Sequence, residues 1–229
     1  MAPDSGPAQT TREHLTRARV VAAALAIVDR DGLDGLTMRA LGRELGVDPM
    51  AAYHWFPNKL AILQGVGEAI LSEIVVPDWA IAVRWQEVAM TMAREYRAAM
   101  LRHPRALPVA STQPVLTPRG FELLERTSSA LVAGGLTPGS AMEAINTVAA
   151  FVIGTCMAEA GVTPGSDPVE PDEVMAIYSS IDPAQYPTMA AAMAESAEHM
   201  ADEDGQFEIA TDALVRGLES SFRSRGLPA

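Results

Sequence analysis

The side chains best suited to binding an anion stand close together near the N-terminus. Arg39, Tyr53, His54 and Lys59 fall within one short stretch, and Lys59 is the only lysine of the 229-residue chain. Guanidinium, ammonium, imidazole and phenol groups all donate hydrogen bonds to phosphate oxygens, and arginine also reads guanine with two hydrogen bonds. This grouping indicates a surface that binds an anion, with nucleic acid as the first candidate.

Helix start and stop signals explain how these side chains would share one surface. Thr37 can N-cap a helix that Gly46 stops, and Asp48 can N-cap the next helix with Pro49 at its first position. Two short helices joined by so tight a turn form a helix-turn-helix, which lays its second helix in the DNA major groove. A helical hairpin with a glycine turn is also common without DNA, so spacing alone leaves both interpretations open.

Helical patterns recur along the rest of the chain, and no alternating run typical of β-strands has a useful length. The sequence therefore predicts an all-α fold. The acidic, proline-rich stretch 161–172 is predicted to be a solvated connector, and Asp202 to Gly205 a solvated turn. The expected helices cover a first segment that ends at Asp31-Gly32, then 58–74, 82–102, 118–133, 138–159, 187–201 and 206–222.

Charge is distributed unevenly along the chain. The net charge is -12, yet residues 1–63 hold seven basic and seven acidic residues, while the rest holds ten arginines and 22 acids. Only the N-terminal part is therefore suited to an anionic partner. A single cysteine, Cys156, fits a reducing compartment, and no signal peptide or apolar stretch of about 18 residues is evident. We expect a cytoplasmic protein without a membrane partner.

Enzyme chemistry has little support in the sequence. The four histidines are widely separated, and neither a G-x-S-x-G elbow nor a Walker loop is present. We predict no catalytic residue, metal or cofactor. The alternative that stays open is an all-helical enzyme or scaffold whose helix-turn-helix packs inward.

A long, ordered pattern in the N-terminal part resembles the signature of the tetracycline-repressor (TetR-type) transcriptional regulators. The resemblance extends over most of the chain, with further landmarks at 85–87, 101–103 and 151–154. The signature runs as Thr37-x-Arg39-x-Leu41-Gly42-x-x-Leu45-Gly46-Val47, then Tyr53-x-Trp55-Phe56-x-x-Lys59-x-x-Leu63.

The resemblance implies a homodimeric repressor that leaves a palindromic double-stranded DNA operator when a small-molecule effector binds. The implied organisation is an N-terminal arm at 1–14, a three-helix DNA-binding domain with the helix-turn-helix at 15–63, and a larger helical ligand-binding and dimerisation domain at 64–229. Segments 138–159 and 206–222 would form a four-helix bundle between two copies. Within the first of these, an apolar stripe is predicted to face either core or interface.

Individual DNA-binding roles follow from the family pattern. Five residues match positions that read bases, two match positions that hold phosphates, and Lys59 suits either role. The base-reading positions are Arg39, Pro49, Met50, Ala51 and His54, and the phosphate-holding positions are Thr37 and Tyr53.

The same resemblance argues against a metal–tetracycline effector. Positions that hold the drug and its metal in the namesake repressor carry apolar residues here, namely Val75, Met92, Val109 and Ala158, and a hard cation needs oxygen ligands. We expect a mostly apolar, aromatic effector. The polar candidates to orient it are Tyr96, Thr112, Thr127 and His103, the last of which could instead cap a helix end.

Overall fold

The computed structural model describes residues 15–79, 83–112, 117–161, 173, 176, 177, 179–196 and 202–227. Within these residues every regular element is a helix, so the predicted all-α fold is confirmed. Two 3₁₀-helices lie at Pro49–His54 and Pro104–Ala106. The α-helices are α1 (Arg17–Gly35), α2 (Met38–Leu45), α3 (Lys59–Ser72), α4 (Trp85–Leu101), α5 (Leu107–Thr112), α6 (Pro118–Ala133), α7 (Pro138–Glu159), α8 (Pro187–Ser196) and α9 (Glu203–Ser224).

The first three helices pack against one another around a small core. Helix α1 contacts both α2 and α3, with Ile27, Leu41, Phe56 and Ile62 fully buried between them. Its helical backbone is interrupted at Gly32, where φ is 73° and the predicted stop lies. This small core holds the helix-turn-helix in place.

Short side-chain caps set most of the helix starts. The Thr37 hydroxyl accepts from the Ala40 amide at 3.1 Å, and the Asn58 side chain accepts from the Ala61 amide at 2.8 Å. Thr117 and Thr137 cap α6 and α7 in the same way, each directly before a proline at the first helical position. The predicted starts of these two helices at residues 118 and 138 are confirmed.

Helices α4, α6 and α7 form the body of the larger domain, with α9 packed against α4 and α7. The Trp85 ring at the start of α4 lies 5.8 Å from the Phe222 ring near the end of α9. Arg97 on α4 pairs with Glu159 on α7 at 3.0 Å and with Asp204 on α9 at 2.7 Å. Apolar packing at one end of α4 and an ion pair at the other therefore both join α4 to α9.

The apolar stripe of α7 faces the core. Ala141, Val148, Val152 and Cys156 are buried, and Ile145 is partly buried. The alternative that this stripe forms a subunit interface is therefore wrong for the stripe itself. Any interface of α7 must use its opposite face.

Helix α7 also corrects an expectation about hydrophobic length. By length and composition it is apolar enough to cross a membrane, although no apolar stretch of about 18 residues was predicted. Its most apolar 18-residue window is only 28% buried. It nevertheless packs against α4, α5, α6 and α9, as a core helix does.

The start of α9 is a second correction. Asp202 to Gly205 was expected to be a turn, but the Gly205 amide donates to Asp202 Oδ1 at 2.9 Å and the helix begins at Glu203. An aspartate cap followed by Glu203 and Asp204 suits the positive end of the helix dipole. The short helix α5 and the 3₁₀-helix before it were not expected either. Apart from Gly161, the predicted connector 161–172 lies outside the described residues.

Candidate nucleic-acid interface and ligand cavity

The turn between α2 and the first 3₁₀-helix depends on two glycines. Gly46 ends α2 with φ 67°, in the left-handed region that favours glycine. At Gly42 a Cβ would stand 2.8 Å from Pro49 Cα and 2.9 Å from Pro49 N. Helix α2 and Pro49 thus approach as closely as backbone atoms allow, which seats the 3₁₀-helix on α2.

The segment predicted as the recognition helix is a six-residue 3₁₀-helix, Pro49–His54, rather than an α-helix. Asp48 Oδ1 caps it by accepting from the Met50 amide at 2.8 Å, as the sequence suggested. The buried Ala52 anchors it to the core. Because the 3₁₀-helix is short and only Ala52 is buried, its other side chains lie partly or fully on an outer surface.

The predicted base-reading residues share that outer surface in varying degrees. Met50 is 66% exposed, Arg39 and His54 are exposed, and Pro49 and Ala51 are half-buried. The exposed groups provide one guanidinium, one imidazole and one thioether for contacts with base edges.

The predicted phosphate-holding residues are exposed as well, and two of them have structural contacts. The Thr37 hydroxyl accepts the Ala40 amide, so its own proton is free to be donated elsewhere. Lys59 Nζ lies 3.4 Å from the Leu33 carbonyl oxygen at the end of α1, which uses one of its three donors. The Tyr53 ring is exposed. All three therefore retain a donor for a phosphate oxygen.

Two exposed residues near this surface, Arg43 and Trp55, were not among the predicted DNA-binding residues. Arg43 stands one helical turn after Arg39, and in the part of the chain that the structure describes neither guanidinium has a carboxylate partner. Trp55 is exposed and meets the His54 ring edge-on, with ring centroids 5.7 Å apart. The i, i+4 spacing of the two arginines was the available signal for Arg43.

A cavity of about 120 Å³ lies in the larger domain among α3, α4, α6 and α7. Its lining is almost entirely apolar, with Tyr96 and Thr127 as the polar exceptions. Three predicted ligand-binding residues, Met92, Tyr96 and Thr127, line it. The remaining lining residues are Leu71, Ile74, Ala89, Gly120, Leu123, Leu124, Leu131, Ala144, Ile145, Val148 and Ala149.

The other predicted ligand-binding residues lie elsewhere. Val75 is 61% exposed and Ala158 is exposed, whereas Val109 is buried but outside the lining. The side chain of Thr112 is outside the described residues. Val75 lies after the end of α3, and Ala158 is on an exposed side of α7, so neither residue lines this cavity. The apolar repeat on α6 from 123 to 131 was the signal for the missed lining residues.

The two polar side chains of the cavity both carry uncharged hydroxyl groups at neutral pH. The Thr127 hydroxyl is buried and has no hydrogen-bond partner among the described residues. Burial, together with the nearby Cys156, raises the pKa of Tyr96 to about 12, so its phenol stays protonated at neutral pH. Burial followed by the charge of Glu159 likewise raises the pKa of Cys156 to about 12. The cavity therefore offers two neutral hydroxyl groups in an apolar wall.

His103 lies outside the cavity, at the junction of the two helical regions. Its Nδ1 is 2.9 Å from Asp29 Oδ2 on α1, and its Nε2 is 2.9 Å from Glu73 Oε1 just after α3. The sequence left a choice between helix cap and pocket lining. The structure instead gives His103 two carboxylate partners.

Two family models match the chain. The model of bacterial regulatory proteins, tetR family, matches residues 20–66, and the model of the tetracyclin repressor-like C-terminal domain matches residues 82–222. The second match alone spans more than half of the chain.

Similar proteins are named as transcriptional regulators. The repressor DrrR1 of Streptomyces coeruleorubidus is 32% identical over 157 residues, which are 69% of this chain but only 57% of DrrR1. An HTH-type transcriptional regulator of Saccharopolyspora erythraea is 29% identical over 91% of this chain and 89% of its own length. These names indicate regulation rather than catalysis.

The fold is also similar to solved structures of this kind. ActR of Streptomyces coelicolor, solved in complex with actinorhodin, is 27% identical, with a TM-score of 0.74 over 91% of this chain and 97% of ActR. Both the resemblance seen in the signature residues and the predicted function class are thereby confirmed. The chain belongs to the tetR family of bacterial regulatory proteins and is a ligand-responsive, DNA-binding repressor.

Proposed function

We propose that this chain is a cytoplasmic homodimer that leaves a palindromic operator when a mostly apolar, aromatic small molecule fills the cavity among α3, α4, α6 and α7. The observation that carries the proposal is the cavity itself, an apolar chamber with two neutral hydroxyl groups. The revised ligand-binding set is led by Met92, Tyr96 and Thr127.

The wall chemistry favours an apolar effector over a metal chelate. Burial of apolar surface stabilises a complex by about 25 cal/mol per Å². Among the described residues, no carboxylate or imidazole lines the cavity, so the charge of a chelated cation would stay unpaired. The similar protein ActR was solved with actinorhodin, which supplies a first probe.

Thr127 makes the effector hypothesis testable at one atom. A buried hydroxyl without a partner costs about 1–3 kcal/mol, and an effector that bonds to it recovers part of that cost. Thr127→Val removes the hydroxyl at similar volume. We expect the variant to melt at the same or a higher temperature, yet to bind the effector several-fold more weakly.

Calorimetry tests the effector class directly. The titrants are actinorhodin, a panel of apolar aromatic compounds, and tetracycline with and without Mg²⁺, each against wild type and Thr127→Val. We expect binding by members of the aromatic set and none that depends on Mg²⁺. Tight Mg²⁺-dependent tetracycline binding, with the aromatic compounds silent, would contradict the proposed effector while leaving the repressor function intact.

Release of the operator by the effector must follow from thermodynamic linkage between the two binding sites. A ligand lowers operator affinity only if it binds the DNA-incompetent dimer better, and a tenfold loss requires about 1.4 kcal/mol of that preference. Helix α3 joins the DNA-binding domain to the cavity through Leu71, so we assign it the moving role.

The outward face of α7 supports the dimer. Met142, Asn146, Ala150 and Gly154 recur every four residues and are exposed, and an added Cβ at Gly154 would meet no atom within 4 Å. On α9, Ile209 is 72% exposed. Exposed apolar surface of this kind marks a protein–protein contact. In the proposed dimer, the exposed faces of α7 and α9 pack against the same faces of a second copy.

A binding experiment separates the repressor from its rival, an all-helical enzyme or scaffold with an inward-packed helix-turn-helix. The probe is the DNA upstream of the protein's own gene, with a footprint at moderate salt. We expect a two-fold symmetric footprint with half-sites about one helical turn apart or a multiple of it. Absence of sequence-specific binding would favour the rival.

A further inference from the structure

His103 connects three elements that belong to different parts of the molecule. Asp29 is on α1 in the DNA-binding domain, Glu73 follows α3, and His103 follows α4 in the larger domain. The His103 side chain is only 13% exposed, while each carboxylate is about one-third exposed. One ring therefore bridges the DNA-binding domain and the ends of two helices.

The geometry requires a particular charge state. A neutral imidazole has one N–H donor and one lone pair, so it can satisfy only one carboxylate. His103 has a carboxylate oxygen at 2.9 Å from each ring nitrogen, which an imidazolium satisfies on both sides. Loss of the proton would turn one of these contacts into a repulsion between a lone pair and an anion.

Neighbouring charges support the arrangement. Arg102 Nε donates to Glu73 Oε2 at 2.6 Å, so Glu73 is shared between two cations. Burial works to raise the pKa of Glu73, but hydrogen bonds from Arg102 and His103 outweigh it and lower the pKa. The carboxylate consequently stays charged in the range where imidazoles titrate.

A second contact holds the same part of α1. The Arg105 guanidinium, in the 3₁₀-helix after His103, donates to the Arg30 carbonyl. The Arg30 side chain itself faces Asp31 and Glu44. The arginines of the junction keep their charge in this range, and histidine is the residue type whose ordinary pKa lies closest to neutral.

We propose that protonated His103 is a positioning residue for operator binding, because with Asp29 and Glu73 it clamps α1 to the ends of α3 and α4. This rests on the repressor function. Two DNA-binding domains of a dimer must match the spacing of two half-sites, and domains that swivel lose more entropy on binding. Operator affinity should therefore fall as His103 loses its proton.

The test measures operator affinity against pH in the full-length dimer. The probe is a fluorescent duplex from the upstream DNA, at constant ionic strength, from about pH 5.5 to about pH 9. The variants are His103→Gln, which cannot carry the charge, His103→Arg, which carries it at every pH, and Asp29→Asn. Glu122→Gln, in an exposed ion pair with Arg119 on α6, is the control.

Each variant has a distinct expected profile. His103→Gln and Asp29→Asn should bind at least about threefold more weakly than wild type at the acid end and converge with it at the alkaline end. His103→Arg should match wild type at the acid end and exceed it about threefold at the alkaline end. Glu122→Gln should follow wild type throughout. His54 is present in every variant, so any effect it has on the pH dependence of operator affinity cancels when variants are compared.

Rescue by arginine distinguishes a charge-dependent clamp from simple packing. A constant ratio of His103→Gln to wild type at all pH values, or no gain for His103→Arg at the alkaline end, would overturn the proposal. Circular dichroism at each pH checks folding, and if His103→Gln does not fold, the arginine variant carries the test. Absence of specific binding by wild type at any pH would instead refute the repressor, and the clamp with it.

Discussion

Arg39 on α2 and Tyr53 in the predicted recognition 3₁₀-helix are both exposed, yet they are expected to act differently. A guanidinium can form a bidentate contact with a guanine edge, worth about 1–3 kcal/mol of discrimination. A phenol hydroxyl on a phosphate positions the protein without reading sequence. We therefore expect the same surface to contribute both sequence-specific and nonspecific free energy of DNA binding.

We predict that Arg39→Ala relaxes sequence preference, whereas Tyr53→Phe weakens binding to all DNA alike. The measurement is the ratio of dissociation constants on operator and random duplexes at one salt concentration. The ratio should shrink by about tenfold or more for Arg39→Ala and stay constant for Tyr53→Phe. Equal losses on both duplexes for Arg39→Ala would refute the base-reading role.

At the scale of elements, α2 and the predicted recognition 3₁₀-helix are packed too closely to admit a side chain at Gly42. A Cβ at Gly42 would meet backbone atoms of Pro49 at 2.8 and 2.9 Å, and backbone cannot rotate away as a flexible side chain can. The recognition element would have to shift as a unit.

Gly42→Ala should therefore destabilise the protein by about 1–3 kcal/mol and weaken operator binding. The free energy of unfolding in urea and a gel shift measure the two effects. Gly139→Ala on α7 is the matched control, because an added Cβ there meets nothing within 4 Å and should be neutral or slightly stabilising. A Gly42→Ala variant as stable as this control would contradict the close approach.

Helix α7 combines a buried apolar stripe with an exposed face that is also mostly apolar or small. If that face covers a second copy, a large side chain at Gly154 must push the subunits apart without disturbing the monomer fold. The space around Gly154 is open within one chain. We therefore expect a substitution at this position to act mainly on assembly.

We predict that Gly154→Trp shifts the protein from dimer to monomer at about micromolar concentration, while the helical circular dichroism spectrum is retained. Sedimentation velocity measures the shift. Ser129→Trp, at an exposed position on α6, should leave the dimer intact. A dimeric Gly154→Trp protein would show that a different face mediates assembly.

At the scale of the whole molecule, ion pairs between distant segments link stability to pH. The Arg94 guanidinium on α4 donates to both oxygens of Glu208 on α9 at 2.6 Å and lowers the pKa of that carboxyl. A carboxyl with a lowered folded-state pKa stabilises the protein above its unfolded-state pKa. The contribution is lost as pH falls through the folded-state value.

The melting temperature should accordingly fall as pH drops below about 4.5, and Glu208→Gln should remove part of that dependence. Because the pair is roughly half exposed, we expect the variant to melt only about 1 to 3 °C lower at neutral pH. The two proteins should melt alike near pH 3. Scanning calorimetry at several pH values checks both expectations, and parallel curves would refute the linkage.

Local signals in the sequence were sufficient to predict the starts of α2, α6 and α7 and the turn after α2. Thr37, Asn58 and Thr137 cap helices through hydrogen bonds to residues three positions later. Gly46 adopts left-handed backbone angles, which favour glycine. Such interactions need no distant partner. They are therefore readable from residue type and spacing, as is the family signature that surrounds them.

The sites in the larger domain depended on contacts that only the tertiary structure creates. Sequence alone could not show that Ala158 on α7 faces outward, because a small change in helix rotation exchanges inward and outward side chains. Nor could it bring His103 to Asp29, which is 74 residues away along the chain. Helix packing decides which distant side chains meet, and with them the cavity and the clamp.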